Sequence, residues 1–155
     1  MLFIAISYLK FLLKSTNQHG VHSPFVYDFV TKGLYKKITE TNILNINSEF
    51  KNLSKKEQKI LSKIITYFNI NKENLDFSIL KNKNNSLYIN NINEFNLNKS
   101  NSFIIFHGIH QDKKAYLKWQ EIIKNEDATV TIDLFYFGLI FFRKEQVKEH
   151  FNIRV

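Results

Sequence analysis

The sequence predicts an α/β fold, a sheet with helices packed on it, and three observations carry that expectation. The apolar run Ser102 to Phe106 reads as a buried parallel strand. After it, Ala115, Trp119, Ile122 and Ile123 fall on one face of a helix that Asp112 can cap. Val130, Ile132 and Leu134 then alternate with Thr129, Thr131 and Asp133, Gly138 permits a turn, and Leu139 to Phe142 makes a return strand. Strand, helix, strand and closing hairpin form the pattern of an α/β sheet. At 155 residues the chain suits one domain, 1–155. That domain comprises an N-terminal helical segment (1–40), an asparagine-rich middle (41–101) and a C-terminal strand–helix–hairpin (102–155).

The earlier elements follow from similar signals. Leu2 to Lys14 reads as a helix with Ser7, Lys10 and Lys14 in one narrow polar stripe and Phe3, Ile4, Ile6, Leu9, Leu12 and Leu13 around it. So apolar a helix must be covered, and docking on its own domain or on a second copy is expected. A homodimer through Leu2 to Lys14 is the partner this predicts. Ser15 to Pro24 is a polar connector, and Phe25, Val26, Phe29 and Val30 suggest a second helix interrupted near Gly33. Ser54 and Glu57 form a capping box before the apolar face Ile60, Leu61, Ile64, Ile65 and Phe68. Leu75, Phe77 and Ile79 alternate like a strand, Leu87 to Ile89 is another candidate, and Asn82 to Asn85 reads as the turn between them.

Composition narrows the function classes. Hydrophobic residues make up 44% of the chain, enough for a core without metals or disulfides, and cysteine is absent. No stretch approaches the roughly 20 apolar residues of a spanning helix, and the N-terminus lacks the pattern of a signal peptide. The expected location is cytoplasmic, with no membrane span. The net charge of +8 invites a nucleic-acid reading, yet only Arg143 and Arg154 among the 22 basic residues are arginine. Scattered lysines beside abundant Asn and Ile look like an AT-rich genome. Sequence readers of DNA lean on the arginine fork, so specific nucleic-acid binding is not expected.

The four glycines, Gly20, Gly33, Gly108 and Gly138, are far apart. That excludes the Gly-x-Gly-x-x-Gly dinucleotide fingerprint and the phosphate-cradling loop. Two copies of His-Gly-x-His supply His19, His22, His107 and His110 as an alternative metal set, against the plainer reading of turn and capping residues and no metal. His110 and Asp112 form a possible base with its orienting carboxylate, although Asp112 also suits a helix cap. His107, His110 and Asp112 are therefore the catalytic candidates. Trp119 fits core packing, and Asp133 alternates onto the polar face of its strand, either solvated or lining a cleft. No Ser/His/Asp arrangement is visible in the sequence.

Two segments carry a family resemblance. Tyr8-Leu-Lys-Phe-Leu-Leu-Lys-Ser-Thr-Asn-Gln-His-Gly-Val-His-Ser-Pro-Phe-Val-Tyr27 and the stretch from Thr129 to Val155 resemble the two ends of class I S-adenosylmethionine-dependent methyltransferases common in Bacteroidetes. The resemblance implies a reduced Rossmann-like sheet in which Thr131 to Phe142 supplies the last two strands and Ile104 to His110 the preceding strand and its loop. It implies methyl transfer as the family activity and S-adenosylmethionine as the cofactor if a donor pocket survives. The acidic-Gly-x-x-x-Gly loop of such proteins is expected after the helix Ser54 to Asn69, where the chain reads Leu75-Asp-Phe-Ser-Ile-Leu80 without glycine. His107 stands where relatives often have an acidic residue. No donor-binding residue is therefore assigned to this chain, and its remaining role is either methyltransferase-like or that of a non-catalytic interaction module, with a basic nucleic-acid binder as the weaker third reading.

Overall fold

The computed structural model describes residues 1–38, 53–68, 86–89 and 103–155, with the backbone alone over 86–89. The strand expected over Leu75 to Ile79 and the turn Asn82 to Asn85 lie outside the described residues. The chain divides into two units, Met1–Thr16 with Glu73–Arg154 and Asn17–Lys72 with Val155.

In the first unit the described elements are helix α1 (Leu2–Lys14), strands β1 (Ser86–Ile89) and β2 (Phe103–His107), a helix at Lys113–Lys124, and strands β3 (Val130–Asp133), β4 (Phe137–Phe141) and β5 (Glu149–Asn152). The strands form one sheet in the order β1-β2-β4-β3-β5. β1 is parallel to β2, β4 is antiparallel to both β2 and β3, and β3 is parallel to β5. Four strands therefore point one way and β4 alone runs back between two of them. The α/β class is present, as a mixed sheet with helices. β5 was not foreseen: its sequence, Glu149-His-Phe-Asn152, carries only one strong apolar residue.

The register explains how one face of the sheet changes character along its width. Phe106 pairs with Gly138, Gly138 with Asp133, and Asp133 with Asn152. One row over, Ile104 pairs with Ile140, Ile140 with Thr131, and Thr131 with His150. Because side chains alternate across a sheet, these two rows share a face that is apolar on β2 and polar on β3 and β5. The apolar half packs with Ile109, Ala115, Trp119, Ile122 and Ala128 into a buried cluster. Asp112 caps the helix as expected, accepting from the Ala115 N–H at 2.7 Å.

Gly138 departs from its expected role. It lies inside β4 and opposes Asp133, while the connection between β3 and β4 is residues 134–136. A Cβ at Gly138 would stand 2.8 Å from the Trp119 ring, so glycine is needed there for close approach. The turn instead places Phe135 at φ 68, in the left-handed region that a bulky residue rarely adopts. Gly108, at φ 70, meets the same turn through its N–H to the Tyr136 carbonyl.

α1 spans the expected residues and buries Ser7 of its polar stripe, while Lys10 and Lys14 stay exposed. Ser7 is 6% exposed and Phe11 5%, whereas Leu9 is 61% and Leu13 88% exposed. The cause is specific: Ser7 meets His110, and Phe11 packs on Phe135 with ring centres 5.6 Å apart. After the helix, Thr16 donates to the Asn152 carbonyl and accepts from the Arg154 N–H, which ties α1 to the end of β5.

In the second unit, Ser23 caps α2 (Pro24–Asp28), whose proline occupies the first turn, where its missing N–H is harmless. The helix continues as a π-helical turn over Phe29–Leu34 instead of breaking at Gly33. Gly33 allows the Tyr67 ring to approach, since a Cβ would lie 3.0 Å from it. Helix α3 (Lys55–Tyr67) begins with the expected capping box and packs against this turn. The helix at Lys113–Lys124 in the first unit is accordingly α4.

Candidate ligand-binding site

The polar half of the sheet face gathers a buried network. His110, in the loop after β2, places its Nε2 2.8 Å from Asp133 Oδ2 and its Nδ1 2.5 Å from Ser7 Oγ. His110 is 5% exposed and Asp133 2%. Asp133 also accepts from Trp119 Nε1 at 3.1 Å and from the Phe135 N–H at 2.8 Å. With an ionised Asp133, Nε2 of His110 must be the donor. In the tautomer with its proton on Nε2, Nδ1 accepts a hydrogen bond from the Ser7 hydroxyl. The Phe135 ring stacks on the imidazole at 4.7 Å, so the strained turn holds one side of the histidine and its carboxylate partner together.

This geometry corrects the expected pairing. Asp112 is engaged as a helix cap, and the carboxylate that orients His110 is Asp133. Asp133 does stand on the polar row of its strand, but buried. A Ser–His–Asp chain therefore exists, Ser7–His110–Asp133, drawn from three distant parts of the sequence. Ser7 belongs to the middle of α1, where backbone N–H groups are bonded within the helix. That turn itself presents no free backbone N–H as an oxyanion donor. His107 packs half-buried on Phe137 with ring centres 5.2 Å apart. His19 and His22 belong to the second unit. Among the described residues no group of three or more His, Cys, Asp or Glu side chains is placed to hold a metal ion.

Beside the network lies an open cavity of about 240 Å³. α1 lines it with Phe3, Ser7, Lys10, Phe11 and Lys14, α4 with Tyr116 and Gln120, and the sheet with Asp133, His150 and Asn152. His110, Asp133 and Asn152 all stand at or just beyond the carboxyl ends of strands that point the same way. Ligands of open α/β sheets bind outside these ends.

The electrostatics are mixed. Burial pushes His150 below its ordinary value of 6.5 and Lys14 adds to that depression, against Asp133, Asn152 and Thr131, which hold it up. His150 is among the residues that line the cavity and keeps solvent-exposed area. Its Nδ1 lies 2.8 Å from the Thr131 hydroxyl. Burial, and then the Asp133 charge, raise the Tyr116 phenol above 10.0.

The sequence offered three traces of this site: His110 as a candidate base, Asp133 on the polar row of its strand, and the Ser7, Lys10 and Lys14 stripe on α1. The inward orientation of Ser7 is set by a contact 103 residues away along the chain, which spacing cannot reveal. His150, Tyr116 and Gln120 carry no signal of their own. No family model matches the chain, and no curated protein or solved structure is significantly similar to it. No described helix is long and apolar enough to cross a membrane.

Proposed function

We propose that this chain is a reduced, cytoplasmic methyltransferase-like domain that acts by binding a small molecule and has lost methyl transfer. The observation that carries the binding role is the cavity at the carboxyl ends of β2, β3 and β5, floored by the buried His110–Asp133 pair. The methyltransferase-like framework rests on the resemblance of both chain ends. The order β2-β4-β3, with the last strand of the pair returning between its partner and the preceding strand, is compatible with a Rossmann-like sheet that ends in Thr131 to Phe142. Loss of transfer rests on the widely spaced glycines, which leave no donor loop in the sequence. Calorimetric titration with S-adenosylmethionine and S-adenosylhomocysteine tests this. No saturable heat at millimolar ligand is expected. One-to-one binding would overturn the loss of the donor site and open an acceptor screen.

A second reading is favoured by one observation. Leu2, Leu9 and Leu13 form a largely exposed apolar surface on α1. Pairing of two copies through this helix would cover it. Sedimentation that shows a monomer at all concentrations would remove this reading.

A further inference from the structure

The cavity carries a charge pattern that the folded chain alone does not explain. Lys10 and Lys14 are one helical turn apart on its rim, and like charges at this spacing destabilise a helix. Neither lysine has an acidic partner among the described residues. The one carboxylate in the cavity, Asp133, is already committed to His110, Trp119 and Phe135. Meanwhile the rest of α1 leaves Leu9 and Leu13 to solvent. The helix thus turns two cations toward a cavity while exposing apolar surface, the reverse of the usual amphipathic arrangement.

We propose that the cavity binds a small organic acid. Its carboxylate is held at the rim by Lys10 and Lys14, and its apolar body lies against Phe3 and Phe11. The volume, about 240 Å³, is below the range of roughly 300–1,000 Å³ typical of drug-sized ligands, so a one-ring acid is the appropriate size. The depressed basicity of His150 keeps that ring a neutral polar wall, which leaves the rim lysines as the positive charge. A phosphate dianion fits less well. Lysines bind phosphate too, but phosphate sites commonly add an arginine fork, whereas no arginine among the described residues lines this cavity and much of its wall, with Phe3, Ile6 and Phe11, is apolar. The inference does not depend on a methyl donor, so its failure and the failure of the methyltransferase-like reading are separate results.

The test is titration of the full chain with 4-hydroxybenzoate, its uncharged methyl ester and inorganic phosphate, followed by calorimetry. Saturable binding of the acid is expected, weakened by salt, with the ester at least about tenfold weaker because a charge-assisted contact is lost. Lys10→Gln with Lys14→Gln should lower acid affinity by about tenfold or more without lowering the melting temperature, since both side chains are exposed and their mutual repulsion is removed. Equal binding of acid and ester, unaltered binding by the double variant, or tighter binding of phosphate would overturn the proposal. So would absence of saturation by 4-hydroxybenzoate and by the smaller benzoate at millimolar concentration with folded protein.

Discussion

Gly138→Ala should cost far more than a single methyl group suggests. The new Cβ would stand 2.8 Å from Trp119 Cη2 and Cζ3 and 3.1 Å from Ile109 Cγ2. Ordinary contact begins at 3.4 Å, so the indole must withdraw by about 0.6 Å if the strand holds. The Trp119 Nε1 to Asp133 Oδ2 bond starts at 3.1 Å. The same displacement, directed along that bond, lengthens it to at most roughly 3.7 Å, beyond a hydrogen bond. Overpacking alone costs about 1–3 kcal/mol, and a hydrogen bond to a charged group contributes about 1.5–3 kcal/mol. One ring movement produces both losses, so they overlap, and about 2–4 kcal/mol is expected. That corresponds to roughly 5–15 °C in melting temperature for a chain of this length. Trp119 is the only tryptophan, so its fluorescence reports the displacement directly while circular dichroism follows unfolding. The cause is isolated by a double-mutant cycle with Trp119→Phe, which removes the ring atoms that collide. In that background Gly138→Ala should cost less than about 1 kcal/mol, because alanine also reduces the freedom of the unfolded chain. An equal cost in both backgrounds, or unchanged fluorescence in the single variant, would refute the reasoning.

Other perturbations follow from the same network and from the second unit. His110→Ala removes one of the three donors aligned on the buried Asp133 and should destabilise by about 1.5–3 kcal/mol. Ser7→Ala removes one hydrogen bond and should cost only about 0.5–1.5 kcal/mol in denaturant melts; the opposite ranking would contradict the arrangement. Because His150 titrates below its ordinary 6.5 when folded, the unfolded chain binds its proton first as pH falls. Its contribution is therefore intact above 6.5 and is lost as pH falls through the folded value, and melting curves should show a smaller acid loss in His150→Gln than in the parent chain. Ser54→Ala removes the hydroxyl that accepts from the Glu57 N–H at 3.3 Å in the capping box, and should cost about 1 kcal/mol by chemical denaturation.

Local signals predicted local structure well. α1, the Ser54 capping box and the Asp112 cap depend on residues within one or two turns of each other, and all three stand where periodicity and side-chain type place them. The same logic misjudged Gly138 because a glycine in sequence cannot tell a turn from a close approach. It takes the Trp119 ring, on a different element, to make that distinction. The turn itself went unrecognised since Phe135 is among the least expected residues for a positive φ. The site was harder still. Ser7, His110 and Asp133 become neighbours only through sheet order and through the docking of α1, neither of which has a sequence period. Asp112, two residues from His110, was the natural sequence partner, and Asp133, 23 residues away, is the structural one.

The network also bears on whether this half of the sheet is a scaffold or a site. Thr131 is 1% exposed and Asp133 2%, in rows that on β2 and β4 hold Phe106, Ile104 and Ile140. Continuing those rows with aliphatic residues would bury more apolar surface and remove the desolvation cost of a carboxylate; replacing buried ion pairs in this way is often neutral or stabilising. The chain instead buries a carboxylate, aligns three donors on it, and holds Phe135 in a strained conformation to supply one of them. Strain and buried charge of this sort weaken a fold that needs only packing, and they are the arrangement by which a site fixes one imidazole in place. That imidazole stands at the floor of an accessible cavity with two cations at its rim. The hydrogen bonds that hold this half of the sheet also shape the cavity wall, which is why variants at His110 and Asp133 report on folding, and variants at Lys10 and Lys14 are the ones that test the proposed binding.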